Sequence, residues 1–436
     1  MLKDQNGLEM GGAAGAVAAY DRALDHWLRL QPEVVECADK AMAADRGCVM
    51  ARVLGGYLRL GASEGPLARR ASGFVAGIEG GNDRERRHLE VIRRWSAGDW
   101  HGASRAMDAI LEAWPTDVLA LAVGHQLDFF LGDAENLRGR IRRALPRWDP
   151  GHPHHGFVQG MLAFGLEESG DYGAAEDAGV RAVERNPDDV WAIHAVAHVH
   201  EMQGRIDDGR RFLGQRRTQW SVGTLFNVHI AWHDALFALE LDDHARALAI
   251  YDEALHHEGS EGAALELVDA AALLWRLHLD GVDVGGRWAP LADAWAGADA
   301  EPWYAFNDLH ALMAMLGAGR RAEAEAIVAR LEAFAGRGDP RLSLHTMLRG
   351  AGLAVARGLL AFGAEDYGAA VAWLAPVRAH LSVFGGSHAQ RDVFQRTLLV
   401  AAERAGETAF ARQLAGERLE ARPSSAWARA HLKRLV

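Results

Sequence analysis

Apolar and polar positions along this chain repeat mostly with the period of an α-helix. Amphipathic segments follow one another from end to end, separated by short turns that contain Gly, Asp or Pro. Alternating β-branched runs and Asn-Gly hairpin turns, which indicate strands, are scarce. The pattern therefore predicts an all-α protein whose helices come in pairs.

The clearest repeating unit lies at residues 156–187. A Gly-Asp-Tyr turn at 170–172 separates Ala163 from Ala175, and Pro187 stops the second helix. A small residue such as Ala175 lets two antiparallel helices approach closely. These spacings are typical of a tetratricopeptide repeat (TPR), in which each unit is a helix-turn-helix hairpin.

The repeat extends along the chain, since Ala103, Ala175 and Ala247 are equally spaced at two repeats apart. We therefore expect an all-α fold, a TPR-like right-handed superhelix of antiparallel helix pairs (an α-solenoid), over residues 1–436. Within it we expect N-terminal helices at 1–85, central repeats at 86–280 and C-terminal repeats at 287–436.

Charge limits the classes of partner. The chain has 436 residues and a formal net charge of −12 at pH 7, so it lacks the general basic excess that favours nucleic-acid or anionic-membrane binding. The apolar stretch 263–279 contains Glu266, Asp269 and Arg276, so no membrane span is predicted. Cys37 and Cys48 are too few for a disulfide framework. We expect a soluble, cytoplasmic protein without nucleic-acid or membrane partners.

Residues 191–204, WAIHAVAHVHEMQG, hold the strongest functional signal. His194, His198 and Glu201 stand at i, i+4 and i+7, so they share one face of one helix. His229 and His233 repeat the i, i+4 spacing further along. A face that mixes titratable side chains with tryptophans is typical of a pocket wall rather than of simple packing.

The repeat register predicts which side chains face inward. Gly160 in the same register is expected to leave room for a ligand, and the loop residues His152, His154 and His155 are expected at the mouth. His233 lies one step off the inward face. The inward positions of three consecutive units are Phe157, Phe164, Glu167, Trp191, His194, His198, Glu201, His229 and Trp232.

The first functional hypothesis is a small-molecule site with general acid–base chemistry, hydrolytic or isomerising. His198 is the preferred proton-transfer residue, with His194 beside it and Glu201 or Glu167 orienting or accepting. No Gly-x-Ser-x-Gly nucleophile motif and no cofactor motif occurs, so we expect neither a covalent nucleophile nor a cofactor. The ligand-binding residues are expected to be Phe157, Phe164, Trp191, Asn227, His229, Trp232, His233 and His155.

Three other interpretations stay open. His194 and His198 can both reach one divalent metal ion, with Glu201 or His229 as a third ligand, although the motif is not His-Glu-x-x-His. Single histidines also bridge helices without further function. A TPR array commonly grips a peptide, and a protein partner or a second copy of the chain is the corresponding expectation; only Asn227 matches the usual peptide-carboxylate clamp.

Other charged positions are interpreted as structural. The arginine runs at 84–87, 140–143 and 216–217 are expected to be solvated helix faces. His88, His256 and His257 are expected at the surface or in packing.

Three segments carry a family resemblance. Residues 160–168 read GMLAFGLEE, residues 194–204 read HAVAHVHEMQG and residues 227–233 read NVHIAWH. Together they resemble the tetratricopeptide repeat protein 38 family, most strongly over residues 154–251. The resemblance implies a TPR-like helical superhelix and no settled activity.

Overall fold

The structure, a computed structural model, describes residues 1–297 and 301–435. Nearly all regular structure in this part of the chain is helical, which confirms the all-α prediction. Two short strands, β1 (Leu2–Lys3) and β2 (Glu9–Met10), pair antiparallel with Leu2 opposite Met10. No helix among the described residues is both long and apolar enough to cross a bilayer.

The helices follow one another with short connections along the whole described chain. Short 3-10 turns lie at Leu145–Arg147, Gly285–Arg287, Ala375–Val377 and Leu381–Phe384, and π-helical turns at Tyr251–Leu255 and Leu348–Gly352. The α-helices are α1 (Ala14–Leu28), α2 (Glu33–Ala44), α3 (Val49–Gly61), α4 (Gly65–Val75), α5 (Asp83–Ser96), α6 (Trp100–Ala113), α7 (Val118–Leu131), α8 (Ala134–Ala144), α9 (His155–Glu167), α10 (Tyr172–Arg185), α11 (Val190–Met202), α12 (Ile206–Gln215), α13 (Arg217–Trp220), α14 (Asn227–Glu240), α15 (His244–Ile250), α16 (Ala264–Leu279), α17 (Trp288–Ala296), α18 (Ala305–Gly317), α19 (Arg321–Gly336), α20 (Ser343–Met347), α21 (Leu353–Gly363), α22 (Tyr367–Leu374), α23 (His388–Arg404), α24 (Thr408–Ala421) and α25 (Ala426–Arg434).

The described chain forms two compact units, and the boundary falls inside α11 between Val196 and Ala197. Unit 1 comprises Met1–Val196, Thr218–Phe226 and Arg341–Ser343. Unit 2 comprises the described residues of Ala197–Arg217, Asn227–Pro340 and Leu344–Val436. The predicted single solenoid and its divisions near residues 85 and 280 stay predictions.

Helical hairpins are formed by the same turn chemistry in both units. The residue before the cap is left-handed in both units: in unit 1 it is a glycine such as Gly170, with φ of 80°, and in unit 2 it is Asp242 or Glu365, each with φ of 61°. The aspartate that follows accepts a hydrogen bond from the backbone N–H three residues later and begins the next helix. This N-cap occurs at Asp99, Asp133, Asp171, Asp243 and Asp366.

The small residues of the repeat lie where predicted. Ala103, Ala175 and Ala247 are fully buried on the second helices of their hairpins. Gly165 shows how closely neighbouring helices pack, because a Cβ there would lie 2.7 Å from the Cα of Arg138 on α8. The hairpins are therefore TPR-like, while the handedness of a superhelix stays a prediction.

Two of the arginine runs are not solvated faces throughout. Arg84 is buried and its Nε lies 2.6 Å from Asp117, which His88 also contacts through Nε2 at 3.0 Å. Asp4 approaches Arg84 at 3.1 Å, and the Tyr57 hydroxyl lies 2.8 Å from His88 Nδ1. We call these five residues the Asp117 network.

Arg140 is the second buried arginine in these runs, and it pairs with Asp128 at 2.8 Å. The exposed-face expectation was wrong for Arg84 and Arg140. A helical run of arginines turns some side chains inward because residues three and four apart share one face and their neighbours do not. Arg86 and Arg143 in the same runs are exposed, as expected.

Candidate functional site

Helix α11 carries predicted site residues into both units. Trp191 and His194 belong to unit 1, whereas His198 and Glu201 belong to unit 2. The helix is uninterrupted from Val190 to Met202. Each unit therefore holds its own group of predicted side chains.

In unit 1 three predicted residues form an aromatic cluster. The Phe164 and Trp191 ring centroids are 4.9 Å apart, and His194 lies 5.1 Å from each of them. Phe226 completes the cluster at 5.0 Å from His194 and 5.4 Å from Trp191. These mutual ring contacts pack His194 against three aromatic side chains.

His125, on α7, also belongs to the unit 1 cluster and was not predicted. The Trp191 indole N–H donates to His125 Nε2 at 3.3 Å, and the His125 ring lies 5.9 Å from Phe164. Burial lowers the pKa of His125 to about 3, so the neutral imidazole can accept this bond. The available signal was a lone imidazole in a helix that is otherwise largely apolar and buried.

The remaining predicted residues of α9 lie elsewhere in unit 1. Phe157 packs under the Arg29 guanidinium at 5.1 Å, and buried His154 bonds Asp25 through Nε2 at 2.9 Å. His155 and Glu167, the first and last residues of α9, are both buried. Among the ring contacts of the described residues, Phe157 does not join the Phe164 cluster.

Gly160 does not leave room for a ligand, contrary to the expectation. A Cβ at this position would lie 2.7 Å from Asp189 Oδ2 and 3.1 Å from the Ala192 Cβ. The space beside Gly160 is filled by the start of α11. The glycine therefore serves close helix packing.

In unit 2 three imidazoles converge, and we call His198, His229 and His233 the His cluster. The ring centroids of His198 and His233 are 4.4 Å apart, and those of His229 and His233 are 4.9 Å apart. One ring nitrogen from each residue lies within 4.8 Å of the others. His198 and His233 are fully buried, whereas the His229 side chain keeps 12% exposure.

Two carboxylates hold imidazoles of the His cluster. His233 Nδ1 lies 2.8 Å from Glu201 Oε2, and His229 Nδ1 lies 2.7 Å from Asp269 Oδ2. A carboxylate accepts a hydrogen bond from the Nδ1–H group. It therefore favours the tautomer in which Nε2 carries the lone pair. Burial lowers the pKa of His233 well below its usual value, so this ring is neutral at neutral pH.

Trp232 forms an aromatic wall beside the His cluster. Its indole stacks on His229 with centroids 5.4 Å apart and planes 16° apart, and it meets His233 edge-on at 4.9 Å. The Arg276 guanidinium lies over the same indole at 5.3 Å. Asn227, the first residue of α14, is half-buried.

Asp269 and Arg276 were not predicted as site residues, although the sequence held a signal. Both lie on α16 and interrupt its apolar sequence, seven residues apart and so on one face of the helix. Both are buried. Charged groups in an otherwise apolar helix indicate a buried polar partner, but the sequence does not identify that partner.

No protein-family model matches the sequence. Among solved structures the chain is similar to a chain of the APC/C hetero-tetramer Cut9-Hcn1, with 13% identity and a TM-score of 0.49 over 99% of this chain and 78% of that one. It is also similar to a chain of the human IFIT1 dimer with m7Gppp-AAAA, with 12% identity and a TM-score of 0.39 over 98% of this chain and 90% of that one. Yeast Tom70 is similar with 10% identity and a TM-score of 0.37 over 95% of this chain and 88% of that one. Similarity at these identities does not extend to function.

Proposed function

We propose that the His cluster of unit 2 binds a divalent metal ion, and that the protein uses it to hydrolyse a small organic molecule. The observation that supports this proposal is the pair of carboxylate-held imidazoles, Glu201 with His233 and Asp269 with His229. Metal-ligating histidines almost always donate their second ring N–H to a carboxylate, a carbonyl or water. His198 supplies the third imidazole.

The donor set fits zinc in type and number. Imidazole nitrogen suits zinc and other late first-row ions, and three histidines are a ligand set that zinc sites use. A tetrahedral ion with bonds of about 2.1 Å places two nitrogens about 3.4 Å apart. One nitrogen from each residue of the His cluster lies within 4.8 Å of the others, so metal binding would draw these nitrogens closer by no more than about 1.4 Å.

Each residue has a defined task in this proposal. His198, His229 and His233 hold the ion, and Glu201 and Asp269 fix the tautomer and orientation of two of them. When bound, a divalent ion supplies Lewis acidity and lowers the pKa of a water molecule toward neutrality. Trp232 excludes water from one side, and the partly exposed His229 gives access from solvent.

The proposal changes the roles predicted from the sequence. His198 becomes a metal ligand rather than the proton-transfer residue, and Glu201 becomes a positioning residue. The catalytic roles of His194 and Glu167 and the ligand-binding roles of Phe157, Phe164, Trp191, Asn227 and His155 stay predictions. Membership of the tetratricopeptide repeat protein 38 family, which rests on the sequence motifs, is likewise proposed.

A calorimetric titration tests the metal site. The full-length protein, stripped with a chelator, should take up one equivalent of zinc. His198→Ala, His229→Ala and His233→Ala should each weaken zinc binding by on the order of 100-fold or more, because one of three ligands is lost. His257→Ala, a change at an exposed histidine of the same unit, is the matched control and should bind like the wild type. Equal affinity in all four variants would refute the site.

Metal-free acid–base chemistry is the second candidate, and the buried Glu201–His233 pair favours it. A carboxylate and an imidazole at 2.8 Å form a proton-transfer pair if no ion is required. Esterase turnover that survives chelation but is lost in Glu201→Gln would support this candidate over the metal site. Turnover that chelation abolishes and zinc restores would reject it.

A peptide-binding scaffold, with a protein partner or a second copy of the chain in an open groove, is less well supported. Side chains that line an open groove are exposed before the peptide binds. Among the predicted inward residues, Phe157, Phe164, His194, His198, Glu201 and Trp232 are all buried. Their burial favours a small ligand over a peptide that lies along an open groove.

A further inference from the structure

Buried arginines in this protein usually have a carboxylate beside them. Arg84 of unit 1 contacts Asp117 at 2.6 Å, and Arg396 of unit 2 pairs with Glu240. A buried cation without such a partner is costly, because burial removes its hydration and nothing replaces it. The position of each counter-ion therefore shows how the buried charge is neutralised.

Arg276 departs from this rule. It is 1% exposed, and its N–H groups donate to the carbonyl oxygens of Ala272 at 3.0 Å and Ala389 at 2.8 Å. Within residues 1–297 and 301–435 no carboxylate oxygen lies within salt-bridge distance of it. Burial lowers the pKa of Arg276 to about 10 and outweighs the opposing effect of Asp392 and Glu201, which act from beyond ion-pair distance, so the guanidinium remains a cation at neutral pH.

The Arg276 charge lies beside the His cluster. Its guanidinium is 5.3 Å from the Trp232 ring, which in turn stacks on His229. The Trp232 indole Nε1 is buried and has no hydrogen-bond partner among the described residues. A cation without an ion-pair partner and an unsatisfied N–H donor thus occur together next to the proposed metal ligands.

We propose that the small molecule bound at the His cluster carries an oxyanion, a carboxylate or phosphate group, which pairs with Arg276 and accepts from the Trp232 N–H. The planar guanidinium fork suits both kinds of oxyanion, and an anionic ligand neutralises the buried charge. This inference rests on the proposed function, because it places the anion beside the metal-binding residues. It narrows the substrate class to organic anions.

Calorimetry on the full-length protein, with and without one equivalent of zinc, tests this inference with three probes. Benzoate and phenyl phosphate present the two oxyanions on the same ring, and benzyl alcohol is their uncharged counterpart. At least one anion should bind, and benzyl alcohol should bind at least about 10-fold more weakly. The stronger of the two anions identifies the group. Binding of benzyl alcohol as tight as that of the anions, or no binding of either anion, overturns the inference.

Variants separate this inference from the metal site. Arg276→Met should weaken anion binding by roughly 10- to 100-fold without weakening zinc binding, since a charged hydrogen bond is lost and no metal ligand is. Arg349→Met, at an exposed arginine of the same unit, is the matched control. Trp232→Phe keeps the stack, removes the N–H and should cost roughly 3- to 10-fold; it decides the question if Arg276→Met does not fold.

The outcomes for the two proposals are distinct. Anion binding that depends on Arg276 without any zinc uptake keeps the anion inference and rejects the proposed metal site. If the protein takes up zinc and binds the anion equally in the wild type, Arg276→Met and Trp232→Phe, the metal site is kept and the anion inference is rejected.

Discussion

Both units bury imidazoles against carboxylates, but the two arrangements differ in what surrounds the ring. In the Asp117 network of unit 1, both nitrogens of His88 have protein partners, Asp117 at 3.0 Å and the Tyr57 hydroxyl at 2.8 Å. In unit 2 the imidazoles instead lie against one another, with His198 and His233 4.4 Å apart. A histidine enclosed by polar groups of its own fold is structural, whereas imidazoles gathered at one point have the arrangement of ligands.

The balance of charge separates the units in the same way. Asp117 is buried, yet the Arg84 guanidinium and His88 outweigh the effect of burial and hold its pKa far below the usual range. Arg84 also contacts Asp4, so the charged side chains of the network have oppositely charged partners within it. Arg276 of unit 2 has no carboxylate among the described residues within salt-bridge distance. Asp392 and Glu201 act on Arg276 only from beyond ion-pair distance, so its buried guanidinium lacks the direct carboxylate contact that Arg84 has.

The largest expected effect is on stability, in unit 1. Asp117→Asn removes one of the two carboxylates that contact Arg84 and should lower the free energy of unfolding by roughly 3–5 kcal/mol, because the buried cation loses its shorter ion pair. Urea denaturation measures this loss, and zinc affinity should not change. Asp83→Asn removes an exposed ion pair with Arg87 on α5, the helix that carries Arg84, and should cost no more than about 1 kcal/mol. Loss of zinc binding in Asp117→Asn would contradict the assignment of the Asp117 network to stability alone.

The carboxylates of unit 2 should show the opposite behaviour. Glu201→Gln and Asp269→Asn should each weaken zinc binding by about 10- to 100-fold, since they orient ligands without touching the ion. Calorimetry of the stripped protein measures the change, with Glu258→Gln, at an exposed glutamate, as the control. Unchanged zinc affinity in both variants would mean that these carboxylates act like Asp117.

The Asp117 network also predicts a pH dependence. The folded-state pKa of Asp117 is depressed, so its stabilising effect is complete above the unfolded pKa of about 4 and is lost as pH falls through the folded value. Urea midpoints from pH 7 to 2.5 should therefore show the gap between wild type and Asp117→Asn narrowing below about pH 4. A gap that widens in acid would show that the folded-state pKa of Asp117 is not depressed.

The smallest effect should be the same in both units. Asp171→Ala and Asp243→Ala each remove a helix N-cap and should cost about 1 kcal/mol in thermal or urea unfolding. Asp177→Ala, an exposed position inside α10, is the control and should change stability by no more than about 0.5 kcal/mol. A large difference between the two caps would indicate that the units do not share their turn chemistry.

The sequence predicted features that depend on local spacing. The hairpin turns, the buried alanines such as Ala175, and the shared face of His198 and Glu201 all follow from helical periodicity. The repeat register also predicted that His229 and Trp232 lie on the inward face with His198. His233 was placed one step off the face, yet its ring contacts both His198 and His229.

Features that depend on distant partners were not predicted. Asp269 meets His229 from a different helix, and the pattern on α16 shows a polar face without identifying what it meets. Arg84 was expected in solvent because its run of arginines resembles a surface face. The unit boundary inside α11 has no local signal, since the helix continues unbroken through Val196 and Ala197.

X-ray absorption at the zinc edge tests the central claim most directly. The full-length protein loaded with one equivalent of zinc should show a nitrogen and oxygen shell at about 2.0–2.1 Å, with the outer-shell scattering of three imidazoles. That scattering should fall to two imidazoles in His229→Ala. A spectrum without imidazole, a sulfur ligand from Cys37 or Cys48, or a protein that retains no zinc would contradict the account.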